Sequence, residues 1–556
     1  MAPNIAPATG PVREYHSALS TILQGRDTRW YKGRLGRLNF MLFFLFLTMT
    51  NNGYDGSMMN GLQTIDTWKN YFHNPQGGTL GVFNAIQTIG GLSSLLLSPY
   101  LCDWVGRRRA LVFGTIIMLI ATGIQTAAQN VGMFIGCRFL IGFGLSFAGL
   151  AAPLLIGELA FPTHRGPITS LWGPAWNSGA IIAAWTTFGS FRINNTWAWR
   201  LPSLIQGVPG VITLCVIYFI PESPRWLVSK GRDEEALAVI TKWHCNDDAA
   251  DPLATFEYEE IMEALRVERE AKQSSSYLEL FKTPGNRRRM RIIIAFGFFS
   301  QWSGTGLISY YLTLVLDGIG ITSTGHQTLI NGILQVWGFI ISIIGATLVD
   351  KAGRRPLVLT SLAGMLVFFV CWTICSAVYT ESTALKNTMG VAIHPNLNAG
   401  HAVLALIILF NASYAIGISP VQNLYSIEIC PTNIRARAIT MGSLSINIAL
   451  IFNQYVNPLA MKALNWKYYI VYDCWLLFEL VFMYMYFIET KGPNGPLPLE
   501  ETVFLYDGED SAAALEKRGQ LAATGDVEFG SPAGEQEKAQ IVEMVEDKAP
   551  TTQHLS

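Results

Sequence analysis

The chain has 556 residues, half of them hydrophobic but only 14% charged, against roughly 25% charged in ordinary soluble domains. Its formal net charge is −1, which leaves no basic field to hold nucleic acid. The eight cysteines form no CxxC pair, so neither a metal site nor a disulfide framework is predicted.

The first 38 residues are polar, carry Arg13, Arg26, Arg29, Lys32, Arg34 and Arg37, and lack a cleavable apolar core. They read as a cytoplasmic N-terminal segment followed by a retained anchor. A membrane-crossing helix takes about 20 predominantly apolar residues. Twelve stretches meet that length, near 39–61, 79–101, 110–128, 132–155, 167–188, 201–220, 291–316, 328–349, 357–379, 401–424, 437–458 and 469–488. A cytoplasmic N-terminus leaves only Lys69, Arg192, Arg200, Lys386, Lys462 and Lys467 in outer loops, so the positive-inside rule places both termini in the cytoplasm. Asn194-Asn195-Thr196 then falls outside, where a glycosylation sequon is usable, although many such triplets stay unmodified.

The expected class is an all-α membrane protein with two six-helix bundles, 39–220 and 291–488. Between them lies a charged cytoplasmic linker, 221–290, with helix-compatible stretches from Asp233 to Trp243 and from Phe256 to Lys272. Beyond Ile488 the chain turns acidic and rich in Ala, Gly, Pro and Glu. That composition predicts a disordered cytoplasmic tail over 489–556.

An internal repeat relates the two halves. Asp103-Trp-Val-Gly-Arg107-Arg108 recurs as Asp350-Lys-Ala-Gly-Arg354-Arg355. Glu158, with Arg165 seven residues on, recurs as Glu428 with Arg435, and Pro221-Glu222-Ser223 is echoed by Ile488-Glu489-Thr490. Offsets of about 250 to 270 residues imply duplication of a six-helix unit, as in one large class of secondary transporters. Carboxylates at helix ends can take forked hydrogen bonds from arginine. These clusters are expected to act as cytoplasmic latches between the halves; the alternative is a set of plain topology signals.

These residues resemble the sugar porter family of the major facilitator superfamily. The resemblance rests on Asp103 to Arg108, Arg138-Phe-Leu-Ile-Gly-Phe-Gly144, Pro221-Glu222-Ser223-Pro-Arg-Trp-Leu227, Gln301-Trp-Ser303-Gly304 with Tyr310-Tyr311, Asp350 to Arg355, Glu428 to Arg437 and Glu489-Thr-Lys-Gly492, and covers about residues 40 to 492. Tyr54 to Leu62 and Ser303 to Tyr311 are most similar to the fungal lactose and cellodextrin permease branch.

The resemblance implies proton coupling through Asp55 with Arg138 as its partner, since an ionised group at bilayer depth costs several kcal/mol unless paired. A static ion pair joining the first and fourth spans is the alternative. By the same likeness Gln301 contacts sugar and Tyr310 and Tyr311 gate the outer mouth, while interhelical hydrogen bonding and interfacial anchoring are the ordinary roles of such residues. Ser303, Trp337, Gln422, Asn423 and Asn447 complete the expected substrate site. Ser300, Gly306, Gly173 and Gly338 stand where hexose carriers have amides, and these departures predict a wider cavity. Asp473 and Glu479 have no family counterpart and are expected to be satisfied locally or near an interface.

The reading is a proton-coupled importer of a di- or oligosaccharide in a fungal plasma membrane, monomeric, with no cofactor, metal or covalent chemistry. Its alternatives are a facilitative hexose carrier, a carrier of a non-sugar metabolite, and a nutrient sensor.

Overall fold

The computed structural model describes residues 21–24, 26, 28–248, 250–274, 277–384, 396–492, 495, 496 and 506. The chain divides into Gly25–Thr502, which holds every element named below, and a second unit of Met1–Gln24 with Val503–Ser556.

The architecture is all-helical apart from one short antiparallel pairing of Lys491–Gly492 with Gly495–Pro496. Helices α1 (Gly33–Leu45) and α2 (Leu47–Leu62) are followed by the short α3 (Asp66–Tyr71), then α4 (Gly78–Leu95), α5 (Ser98–Val105), α6 (Arg107–Thr126) and α7 (Val131–Leu159). Next come α8 (Arg165–Ser170), α9 (Trp172–Ser190), α10 (Trp197–Ile205) and α11 (Val208–Ile217). The linker contributes α12 (Pro224–Ser229), α13 (Asp233–His244), α14 (Pro252–Ser274) and α15 (Glu279–Lys282). The remaining elements are α16 (Pro284–Trp302), α17 (Thr305–Gly318), α18 (Thr324–Ala352), α19 (Arg354–Ala384), α20 (Leu397–Ile416), α21 (Ile418–Glu428), α22 (Thr432–Leu464) and α23 (Tyr468–Tyr486).

All twelve expected segments are occupied by helix. Among the described residues, eight helical stretches are long and apolar enough to cross a membrane, and α4 with α5, bent by 47°, makes up to nine. The stretch Ile434–Tyr486 counts once there, although a single 3-10 turn at Asn465–Lys467 separates α22 from α23. The segments that fall short are α2 and α9, and α2 shows the cause. It buries Thr48, Thr50, Asn51, Asp55, Ser57 and Asn60, so its polar side chains face the protein interior and its mean hydropathy drops.

Small residues let these helices touch backbone to backbone. A side chain at Gly142 would collide with the Gln87 carbonyl of α4, and Gly114 of α6 and Gly144 of α7 each lie against the other's carbonyl oxygen. The repeat halves meet where α4 packs on α22, α9 on α18 and α2 on α17. Glu489 and Thr490, expected at the start of the tail, are bonded into the folded body; residues 493, 494, 497–505 and 507–556 lie outside the described residues.

Candidate functional site

Asp55 and Arg138 meet as the sequence requires. Both are buried, and Arg138 Nη1 donates to Asp55 Oδ1 at 3.1 Å. Arg138 also donates from Nη2 to Gln87 Oε1 at 2.7 Å and from Nε to the Phe83 carbonyl at 2.9 Å. Gln206 Nε2 donates to the same Asp55 oxygen at 2.8 Å. Asp55 Oδ2 has no hydrogen-bond partner among the described residues. Four helices, α2, α4, α7 and the α10–α11 junction, therefore converge on one carboxylate whose second oxygen is empty-handed. Gln87 and Gln206 escaped the sequence reading, since an amide inside an apolar run gives no sign of which neighbour it faces.

A seal between the halves lies at one end of the bundle. Asn60 Nδ2 donates to the Ile308 carbonyl at 3.0 Å and to Asn331 Oδ1 at 3.2 Å, while its Oδ1 accepts from Leu312 N at 3.2 Å. Gln63 Nε2 donates to the Tyr310 carbonyl at 3.0 Å, and Thr88 to Gln454 at 2.9 Å. Tyr311 is fully buried, accepts from Asn84 Nδ2 at 3.1 Å and donates to the Gln454 carbonyl. Its backbone leaves helical geometry (φ −136°, ψ 26°), so α17 bends at the residue that joins both halves. Tyr310 takes part through its carbonyl.

Deeper in the bundle, Ser300 is a hub. Its Oγ accepts from Gln422 Nε2 at 2.9 Å and Gln301 Nε2 at 3.3 Å, and its carbonyl accepts from Tyr414 at 3.3 Å. Ser303 is buried, with an Oγ that has no partner among the described residues. Three other expected contacts do not join this group. Asn447 donates to Ser443 of its own helix at 2.8 Å, Trp337 donates to the Ile408 carbonyl at 3.1 Å, and Asn423 is exposed. Periodicity places Gln422 and Asn423 about 100° apart on α21, so one turns inward and its neighbour cannot.

The glycine departures do not all create space. Asn453 Nδ2 occupies the place where a side chain on residue 306 would go, and it donates to the Gln301 carbonyl at 2.6 Å. Asn411 Oδ1 lies 3.1 Å from a Cβ at residue 338, and only around Gly173 is there open room. Amides missing from one helix are thus supplied by another. Asn453 continues into a buried network in which Tyr472 donates to Asn457 at 2.6 Å and Tyr468 does so at 2.8 Å. A cavity of about 460 Å³ lies elsewhere, lined by Leu314, Ser376, Thr380, Lys462 and Trp466 among others, and it touches none of the expected substrate residues.

The charge clusters form as duplicates. Arg107 Nε donates to Glu158 at 3.1 Å, and Glu222 caps the start of α6 by accepting from Arg107 N and Arg108 N at 3.1 Å. Arg354 Nη2 donates to Glu428 at 2.8 Å, and Glu489 caps α19 by accepting from Arg354 N and Arg355 N at 2.9 Å. These pairs each tie helices of one half, which corrects the expectation of a bridge between halves: the carboxylate and the arginines come from the same repeated unit. Asp103 is largely exposed and reaches Arg107 at 3.4 Å, Arg165 is exposed, and Arg435 Nε donates to the Cys430 carbonyl at 3.1 Å. The side chain of Asp350 lies outside the described residues. Asn194 is exposed in the loop between α9 and α10. Glu479 is fully buried, and neither carboxyl oxygen has a hydrogen-bond partner among the described residues.

The profile of the sugar (and other) transporter family matches residues 41–497. The chain is 29% identical over 488 residues to the MFS glucose transporter mfs1 of Aspergillus flavus, covering 84% of this chain and 90% of that one. It is 28% identical over 455 residues to the high-affinity glucose transporter of Kluyveromyces lactis, covering 79% and 80%. In fold it is similar to the inward open conformation of the xylose transporter XylE from E. coli, with a TM-score of 0.67 at 23% identity, over 84% of this chain and 100% of that one. The chain belongs to the sugar (and other) transporter family, the sugar porters of the major facilitator superfamily, and is a transporter and not an enzyme.

Proposed function

We propose that this protein is a sugar–proton symporter that works by alternating access. The observation that carries the reading is the sealed Asp55–Arg138 pair with Asp55 Oδ2 left open. A proton arriving on that oxygen converts a paired carboxylate into a neutral acid and releases Arg138 toward Gln87 and the Phe83 carbonyl, so α2 loses its charged tie to α7. Breaking such a tie, buried on both sides, is worth several kcal/mol, enough to bias two packings of the halves. Sugar would bind at Ser300, Gln301, Ser303 and Gln422, whose amide and hydroxyl groups can exchange their mutual bonds for those of a solute.

The same reading takes the chain as twelve spans in two six-helix bundles with both termini cytoplasmic, in the plasma membrane, working as a monomer and glycosylated at Asn194. On that orientation the Asn60, Gln63 and Tyr311 contacts close the outer mouth, with Tyr310 and Tyr311 as gate. The duplicated charge clusters then brace the cytoplasmic ends of each bundle.

Two substrate sizes are supported by different observations. Open room at Gly173 favours a di- or oligosaccharide such as lactose or cellobiose. Asn453 and Asn411, which restore amides near residues 306 and 338, favour a monosaccharide, as do the glucose transporters among the relatives. Uptake of labelled glucose, lactose and cellobiose in a transporter-deficient yeast, with and without a protonophore, tests both size and coupling. Uptake of none of them would overturn the sugar reading, and uphill accumulation that survives the protonophore would overturn the symport reading.

A further inference from the structure

Glu479 sits on α23, fully buried, and neither carboxyl oxygen has a hydrogen-bond partner among the described residues. An unpaired carboxylate at that depth is costly, and a residue kept only for packing would have no reason to be acidic. Its surroundings are those of a site. On the same face of α23, Trp475 and Phe482 pack on Phe299 of α16 with ring centroids 6.0 and 5.3 Å away, which sets this face against the turn that carries Ser300. Trp475 Nε1, itself buried, is an N–H donor beside the carboxyl. Tyr414 of α20 reaches the same turn, where its hydroxyl donates to the Ser300 carbonyl at 3.3 Å.

The other charged and titratable groups around α23 lie toward its ends. Arg291 of α16 and Arg355 of α19 stand over Tyr486 and Tyr484 at 5.2 and 5.6 Å. Tyr468, Tyr469 and Tyr472 occupy the opposite end, with Asn453 and Asn457 of α22 facing them, and Asp473 lies between. Among the described residues, none of them forms an ion pair with Glu479.

We propose that Glu479 is a second proton-binding site of the transport cycle, located in the C-terminal half and linked through Tyr414 to the Ser300 hub. In the sealed conformation the carboxyl holds its proton. When the helices part, the O–H bond breaks, the proton leaves to water, and the carboxylate takes the Trp475 N–H and the Tyr414 O–H. Tyr414 then releases the Ser300 carbonyl, leaving it to Thr305 alone at 3.3 Å. That bond lies at the start of the break between α16 and α17, where Gly304 adopts φ 94°, so proton loss at Glu479 loosens the helix end that presents Gln301. The inference rests on the proton-coupling reading above and extends it to the other half.

The test is an infrared pH titration of the full chain in liposomes. Wild-type protein should show the carbonyl band of a buried carboxylic acid that bleaches as pH rises. One component of the band should be missing in Glu479→Gln and present in Asp55→Asn. Tyr414→Phe and Trp475→Phe keep the carboxyl but each remove one donor to the charged form, so each should move the bleaching midpoint toward alkaline pH by about one unit or more. A spectrum from which Glu479→Gln removes no component, a Glu479 component that never bleaches up to the pH where the protein unfolds, or a midpoint unmoved in both donor variants would overturn the proposal. Proton flux driven by glucose, lactose or cellobiose is recorded in the same vesicles. If wild type shows none, the symport reading fails whatever the band does. If wild type couples and the band is unchanged in Glu479→Gln, only the Glu479 site fails.

Discussion

The two halves of this transporter agree at their charged ends and differ in their interiors. Arg107, Glu158 and Glu222 reproduce, bond for bond, the roles of Arg354, Glu428 and Glu489. Inside, the N-terminal half holds a formal charge pair, Asp55 with Arg138, clamped by glutamines. The C-terminal half instead holds amides and phenols around Ser300 and Asn457, plus a lone acid. A duplicated unit keeps what its helix ends need mechanically and diverges where the proposed proton and solute groups lie.

Asp55→Asn tests that division with the largest expected effect. It preserves shape and the Gln206 contact but cannot carry a proton, so uphill accumulation should vanish while downhill exchange continues. Concentrative uptake by this variant would place the coupling proton elsewhere.

The likeness of the charged ends can be sharpened by stability. Arg354 is about 1% exposed, and the side chains of Arg107, Glu158 and Glu428 about 12%. Removing one partner of a fully buried pair costs about 3–5 kcal/mol, and of a partly wet charged hydrogen bond about 1.5–3. Glu428→Ala should therefore lower thermal stability in detergent more than Glu158→Ala. Equal losses would mean that burial does not distinguish the two clusters.

Much of this was legible in the sequence for physical reasons. Apolar runs must be helices in a bilayer, and an ionised group inside one demands a partner; the resemblance to sugar porters is what matched Asp55 with Arg138. The repeat placed the clusters but left open whether their carboxylates reach across the halves. Gln206, Gln87 and Asn453 were illegible because an amide's partner depends on helix rotation, which hydropathy does not report. The replacement of amides at residues 306 and 338 by Asn453 and Asn411 could not be read from either helix alone, so widening was inferred where the space is in fact filled.

Asn60 probes the contact between the halves. Its three bonds to α17 and α18 contribute about 0.5–1.5 kcal/mol each. Asn60→Ala should shift the population toward a conformation open at this end. With the exposed Cys215 and Cys474 replaced, a cysteine introduced at Ser309 should then react several-fold faster with an impermeant maleimide. An unchanged rate would show that the seal depends on packing and not on these bonds.

The smallest effect separates the linker from both bundles. Arg26 grips both carboxylate oxygens of Asp251, and Leu253 N donates to Oδ1 at 2.8 Å. The Arg26 hydrogen bond holds the Asp251 carboxyl below its usual range. A depressed carboxylate contributes its stabilisation fully above the ordinary carboxylate range and loses it as pH falls through the folded value. The Arg26 side chain is 28% exposed, so the pair is worth at most about 1 kcal/mol. Hydrogen exchange of the backbone around α1 should rise slightly between about pH 5 and about pH 3 after correction for intrinsic rates, and Asp251→Asn should show the raised exchange already at neutral pH. Because the groups proposed to handle proton and solute lie in the bundles, transport by this variant should stay within about twofold of wild type. A larger loss would mean that the linker's grip on the N-terminal segment participates in the movement of the halves.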